Sequence, residues 1–443
     1  MRILHLPLGR STFCMDEAEI KLNSVHEGFN RIGLDVESPN NLLLELEALE
    51  EFLDQTLAVN SDSVDAVIVQ PITFTDARFM RIILDKVSAP VIIWSVREPH
   101  TDGRRLCLNS LTGANIYATE MRNNRYFVMV HGDPSEPGVM EDIKRKCQAF
   151  ALRKSVSNQK ILVIGENPDG FFFSQVPPVH LTPLGIEFVK CSLEELFNQA
   201  KNLSEDKIKP EIDSIVKAIA GTKQDDEKVI LTAKVLHVVK GWVQSEGATA
   251  VASRCWPDFF VNMNVAPCGM ISMLNEIGIP AACEADMFGA ISMALLKVLS
   301  NSPALLGDLV HLDESANSLT FWHCGAAAPC LAGAGVAKPG VHPNRKIGLS
   351  VEMSGKSGEV TVTRLGLDGN KLRLFVMEGN ATGAPQKFLG TSIEVIPNGG
   401  SAREIMLNVM GAGYEPHYAV GYGHWASVLV EWAKSVGIEV DEF

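Results

Sequence analysis

The sequence predicts an α/β protein in which two doubly wound parallel-sheet domains precede a β-rich C-terminal domain, a small antiparallel barrel. Three observations predict it. "VDAVIVQP" and "APVIIWSV" are short, continuous β-branched runs, as strands buried on both faces of a parallel sheet require. The same pattern restarts near Asn158. After about Asn301 it gives way to alternating strands separated by Gly, Asp and Asn turns. A chain of 443 residues is too long for one ordinary core. The expected domains are residues 1–155, 156–300 and 301–443.

In order along the chain, "RILHLPLG" reads as a strand ending in a glycine turn, and Asp16 to Ile32 has helical apolar spacing. "TDARFMRIILDKV" lies between the two β-branched runs and reads as a crossover helix. "QKILVIGENPDGFF" opens the second domain with a fresh strand and a Gly/Pro loop. Charged helical stretches follow at Leu193 to Ala220 and Ala233 to Ser245. The strands "ATAVAS" and "GIPAAC" lead into "RCWPDFF" and "EADMFGAISMALLKVL", the latter an amphipathic, proline-free helix candidate. "GEVTVTRLGL", "KLRLFVMEGNA" and "TSIEVIPN" are the barrel strands, and the chain closes with a glycine turn, a helix and a last strand.

Composition narrows the function classes. Hydrophobic residues are 46% and charged residues 21% of the chain, as in a soluble globular protein. A formal net charge of −14 without a basic run argues against nucleic acid or an anionic membrane surface as partner. The N-terminal segment lacks a signal-peptide core, and no stretch of eighteen apolar residues would span a bilayer. Nine scattered cysteines without a CxxC pair read as reduced thiols, so the expected location is cytoplasmic.

Several short constellations carry potential chemistry. In "ACEADMFGA", Glu284 and Asp286 stand two residues apart at a strand end, where both carboxylates can point the same way; equally, they suit a helix's first turn as capping acids. In "GDLVHLDESANSLTFWHCG", a hairpin would bring Asp308 and His323 together. "YEPHYAVGYGHW" adds His417 and His424. Cys324 and Cys330 beside His323 suggest zinc, but neither interval suits a structural zinc site. Carboxylates from two places with histidines from two more form a harder, oxygen-rich set suited to Mn²⁺ or Mg²⁺. In the N-terminal domain, loops after strands carry donors and acceptors for hydroxyl groups or an anion: Arg10, Thr73, Thr75, Glu98 and Asn109. With no GxGxxG and no Walker loop, no nucleotide cofactor is expected.

Taken in order, "LPLGRSTF", "QPITFTDA", "LCLNSLTGAN", "HGDP", "RCWPDFF", "APCG", "CEADMFGA", "DLVHLD", "WHCGAAAP" and "PHYAVGYGH" resemble the L-fucose/L-arabinose isomerase superfamily over nearly the full length, most closely its shorter fucose isomerase-like proteins. The resemblance implies a metal-dependent ketol isomerase that interconverts an aldose and a ketose through a cis-enediol. It implies Mn²⁺, with Mg²⁺ or Co²⁺ as substitutes, and a trimer or hexamer with active sites at subunit interfaces. By motif, Glu284, Asp308, His323 and His417 resemble the metal set, with Glu284 and Asp308 exchanging the proton; the fucose isomerase segment would put Asp286 on the metal instead. Arg10, Thr73, Thr75, Asn109, Trp256, Cys268, Trp322 and His424 fall in the segments expected to contact a small-molecule sugar. Cys268 stands where fucose isomerases carry a further glutamate, which leaves the identity of the base open. A sugar-binding protein without turnover, or a metal-assisted epimerase or lyase, are the other readings. Arg10, Arg97, Arg104 and Arg105 near the pocket loops admit a phosphorylated or sulfonated sugar.

Overall fold

The computed structural model describes residues 1–58, 63–122, 124–333 and 335–443. They form two compact units, Met1–Lys154 and Ser155–Phe443. The first holds four parallel strands in the order β1 (Ile3–Leu8), β2 (Ala66–Pro71), β3 (Val91–Ser95) and β4 (Phe127–His131). Successive side chains of a strand point to opposite faces, and these strands are apolar at both parities. Leu4, Leu6, Val67, Val69, Val91 and Ile93 therefore pack on one face with Leu49, Phe79, Met80, Ile83 and Tyr117 from helices Leu46–Leu57, Ala77–Lys86 and Ser110–Met121. Ile3, Ala66, Ile68, Ile92 and Trp94 pack on the other with Val25, Phe29, Met140, Ile143 and Phe150 from helices Met15–Arg31 and Val139–Ser157. Each fully buried Leu, Ile or Phe contributes roughly 1.5–3 kcal/mol. Helix Ala77–Lys86 begins where expected, because the Asp76 carboxylate accepts the Arg78 backbone N–H.

The second unit opens with the parallel strands β5 (Lys160–Ile164), β6 (Glu187–Cys191), β7 (Ala250–Ser253) and β8 (Ala281–Cys283), ordered β6-β5-β7-β8. A mixed sheet follows: β9 (Leu305–Asp313), β10 (Ser318–His323), β11 (Lys338–Gly340), β12 (Ser350–Ser354), β13 (Gly358–Asp368), β14 (Lys371–Ala381), β15 (Thr391–Pro397), β16 (Tyr418–Tyr422) and β17 (Glu439–Glu442). Strands β15, β10, β9, β16, β13 and β14 pair antiparallel in succession, and β14 pairs back to β15. The pairing closes on itself, so this is the expected small antiparallel barrel, with β11, β12 and β17 as additions.

Helix Met287–Ser300 departs from the amphipathic expectation. Every residue from Met287 to Leu296 is buried, because the helix packs between the parallel strands β7 and β8 and the barrel strands β13 and β16. A helix covered on both sides is apolar all round, as "MFGAISMALL" is. Its one interior hydroxyl, Ser292, is used on both sides: it donates to the Phe288 carbonyl at 2.8 Å and accepts the Leu365 N–H of β13 at 2.9 Å. Among the described residues no helix is long and apolar enough to cross a membrane.

One polar group in the first unit gives that core a pH dependence. His5 on β1 is fully buried, with Nδ1 2.8 Å from Ser38 Oγ and Nε2 2.8 Å from Gln70 Oε1. Burial pushes its imidazole down from 6.5 to about 3. The unfolded chain then takes up this proton first as pH falls. The stability His5 contributes is whole above about pH 6.5 and is withdrawn between there and about pH 3. Urea melts of wild type and His5→Gln at about pH 7.5 and about pH 5 should show the wild type losing on the order of 2 kcal/mol more than the variant between the two.

Candidate active site

Glu284, Asp308, His323 and His417 come from four separate segments of the second unit: the turn after β8, strand β9, the last residue of β10 and the residue before β16. The hairpin expected from the sequence exists, and Asp308 pairs with Trp322 across β9 and β10, next to His323. Ligand atoms of Glu284, His323 and His417 lie within 4.8 Å of one another. The Glu284 Oε2 to His417 Nε2 distance is 2.9 Å, and Asp308 Oδ1 stands 3.8 Å from the same nitrogen. His323 and His417 face each other with ring centroids 5.3 Å apart.

The backbone is held in unusual conformations to achieve this. Glu284, Ala285 and His417 have φ of 60°, 54° and 75°, a left-handed region that side chains with a Cβ enter at a cost. Asn167 holds the first turn by donating its side-chain amide to the Glu284 and Ala285 carbonyls, both at 3.2 Å. Trp256 Nε1 donates to Glu284 Oε1 at 3.1 Å. Phe173 packs edge-on against His417, and Phe171 against Trp256.

Asp286 answers the question its spacing raised: it caps the helix and also serves the site. Its Oδ1 accepts the Gly289 N–H at 2.9 Å, and Oδ2 accepts from His417 Nδ1 at 2.9 Å and Arg364 Nη1 at 2.6 Å. Asp286 and Arg364 are both completely buried. Gly289 is required there, since a Cβ would lie 2.6 Å from Asp286 Oδ2. Asp286 thus turns His417 so that Nε2 faces Glu284 and Asp308, and it is Glu284 that joins the histidines.

Charge follows from these contacts. Burial opposes ionisation of Asp286, but Arg364 and His417 overcome it and hold the carboxyl down at about 2. Burial likewise opposes the His417 cation, but hydrogen bonds to Asp286 and Glu284 outweigh it and hold the imidazole up at about 10. Glu284 is drawn below the usual carboxylate range, the bonds to His417 exceeding the opposing effect of burial. His323 moves the other way, first through burial and then through the neighbouring His417 charge, so it is neutral near pH 7. Its Nδ1 is buried without a hydrogen-bond partner among the described residues, an unmet lone pair or N–H facing the cluster's interior. The set offers one carboxylate and two imidazoles to a divalent cation.

Glu284 borders two cavities. One, of about 360 Å³, is also lined by His323, Trp256, Cys268 and the segment His342–Arg345. The other, of about 420 Å³, is lined by Glu284, Asp308, His417, Phe173 and Tyr418. Both are large enough for a monosaccharide. Cys268 lies in the first, and burial drives its thiol well above 9.0, so it is a neutral wall and no base.

The other sequence-predicted contacts are dispersed. Trp322 donates Nε1 to the Leu389 carbonyl, and exposed His424 faces Glu359 and Glu378. Arg10, Thr73, Thr75 and Asn109 belong to the first unit. There Thr73 accepts the Arg10 N–H, Thr75 bonds Tyr117, and Asn109 precedes a helix with its N–H on Glu98. Arg97 and Arg104 are paired with Glu136 and Asp102. Asn167, Phe173 and Arg364 escaped the sequence reading. Arg364 had a signal: it shares strand parity with Val360 and Val362, which makes it an inward-facing arginine.

No family model matches the chain. Curated relatives match it end to end. A sulfoquinovose isomerase from Priestia aryabhattai is 40% identical over 441 residues, 99% of this chain and 98% of that protein. Those from Alkalicoccus urumqiensis and Clostridium sp. (strain MSTE9) are 38% and 33% identical, covering 100% of this chain and 99% of each. Fold, site and full-length relatives together define an enzyme of the aldose–ketose isomerase class. The chain belongs to the sulfoquinovose isomerase family.

Arg364→Leu should lower stability by about 3–5 kcal/mol in denaturant melts, because it strands a buried Asp286 carboxylate. Arg364→Lys keeps the charge and should lose clearly less.

Proposed function

We propose that the protein interconverts the aldose and ketose forms of a sulfonated sugar, with a divalent cation, Mn²⁺ foremost, held by Glu284, His323 and His417. The observation that carries this reading is the convergence of those three side chains with Asp308 on one point, together with relatives named for a sulfonated sugar. A buried His323 Nδ1 with no partner among the described residues, and a mixed donor set of one carboxylate and two imidazoles with Asp308 beside it, fit such an ion. When bound, a cation of this kind polarises the sugar carbonyl and makes the adjacent C–H more acidic.

The chain's own groups divide the remaining work. Glu284 is occupied by Trp256 and His417, whereas Asp308 is partly exposed to the cavity, and its single ion-pair contact among the described residues is His417 at 3.8 Å. Asp308 is therefore the carboxylate free to take the proton from one sugar carbon and return it to the neighbouring one, through a cis-enediol. Asp286 fixes the His417 ring, and Phe171, Phe173 and Trp256 cover Glu284 and His417 with apolar surface. The wider kinship with L-fucose and L-arabinose isomerases belongs to the same proposal. The two parallel sheets followed by an antiparallel barrel support it.

The test is turnover of sulfoquinovose in deuterated water, followed by NMR. Ketose should form with deuterium entering the carbon that exchanges its proton. Chelation should abolish the reaction and Mn²⁺ restore it. Asp308→Asn should lower kcat roughly 10²–10⁴-fold while KM changes little and metal content is retained. Unimpaired turnover by that variant, or by metal-free protein, would sink the proposal.

A further inference from the structure

Five arginines lie in the second unit, and four have carboxylate partners: Arg254 with Asp258, Arg364 with Asp286, Arg373 with Glu415 and Arg403 with Glu314. Arg345 differs. Its guanidinium has no hydrogen bond and no ion pair among the described residues, and lies 6.0 Å from the centre of the Phe260 ring. It is exposed, yet it lines the 360 Å³ cavity that Glu284 and His323 also line, and it is the sole Lys or Arg among the lining residues.

The segment carrying it is fixed to the site. His342 Nδ1 accepts the backbone N–H groups of Asn344 and Arg345, both at 3.3 Å, which leaves its proton on Nε2. Burial lowers the His342 imidazole to about 4, so the ring is a neutral donor in the physiological range. Phe260 packs edge-on against His342, 5.0 Å between centroids, and clusters with Cys268, Trp256 and Cys324. Trp256 in turn bonds Glu284. A cation unpaired among the described residues, an amide and an imidazole N–H thus share one cavity with Glu284 and His323. A sulfonate spreads one negative charge over three acceptor oxygens, and this donor set matches it.

The geometry points to the segment His342–Arg345 as the element that reads the anionic end of the substrate, with the Arg345 guanidinium receiving the sulfonate. This inference rests on the sulfonated-sugar reading above. It assigns Arg345 to specificity, not to proton transfer, so its loss should act on binding.

Kinetics on sulfoquinovose and on quinovose, the same sugar without the sulfonate, separate the possibilities. Arg345→Gln should raise KM for sulfoquinovose roughly ten- to a hundredfold, the loss expected for a charged hydrogen bond, with kcat within a few-fold. Turnover of quinovose should not fall, and Arg345→Lys should recover part of the sulfoquinovose KM. The exposed position predicts unchanged thermal melting for both variants. An unchanged sulfoquinovose KM, or an equal loss on both sugars, would overturn the assignment while leaving the isomerase reading intact. If the wild type fails to turn over sulfoquinovose at all, the functional reading falls and Arg345 with it.

Discussion

The buried ion pair between Asp286 and Arg364 is the constraint on which the second unit depends. Two unit charges with no exposed surface are tolerated only when closely paired: Asp286 receives bonds from Arg364, His417 and the Gly289 N–H, and Arg364 donates to Asp286 and the His417 carbonyl, its Nε alone lacking a partner among the described residues. Those three partners belong to β13, the residue before β16 and the first turn of helix Met287–Ser300. One carboxylate therefore fastens the helix that follows the parallel sheet to two strands of the barrel. It sets the His417 ring at the same time. Helix dipole and ion pair act in the same direction, since an acid at a helix N-terminus is favoured by the free N–H groups there.

From that anchor the candidate active centre becomes a problem of geometry under strain. The left-handed backbone at Glu284, Ala285 and His417 would relax in a free peptide, at a gain on the order of 1–3 kcal/mol for each residue. It persists because Asn167 grips the Glu284–Ala285 turn from one side and Asp286 and Arg364 grip His417 from the other. The reward is that a carboxylate and an imidazole, with no sequence relation, face each other at 2.9 Å in a site walled by aromatic rings. The four cysteines around the same cavity, Cys255, Cys268, Cys283 and Cys324, act as small apolar packing. Burial raises the Cys268 and Cys324 thiols, and a hydrogen bond with Cys255, then burial, raises that of Cys283.

Much of the fold was legible in the residues. Continuous β-branched runs announced the parallel strands β2, β3 and β5, and the alternation in "GEVTVTRLGL" and "KLRLFVMEGNA" announced the barrel hairpin β13–β14. Local physics decides such elements, because side-chain periodicity reports which faces are covered. The amphipathic reading of "DMFGAISMALLKVL" went astray for the same reason. Periodicity reveals one covered face, and this helix has two. Within the site, Glu284, Asp308, His323 and His417 could be named as candidates from short motifs, and the family resemblance grouped them as one set.

By itself, then, the sequence determined the class of fold, the chemistry on offer and its approximate places along the chain. Only the tertiary structure decided that Glu284 meets His417 Nε2 beside His323 while Asp286 meets Arg364 and the other nitrogen of His417, although the two acids are separated by a single alanine. Nothing local distinguishes those acids. The difference arises from an arginine 78 positions away and a histidine 131 positions away, whose contacts exist only when the barrel closes over the helix. The same holds for Arg345. Its residue type says only that it is charged, and its significance comes from lying, unpaired among the described residues, on a cavity it shares with Glu284. Charges acquire roles from the partners that long-range packing grants or withholds, and a one-dimensional pattern carries no record of that choice.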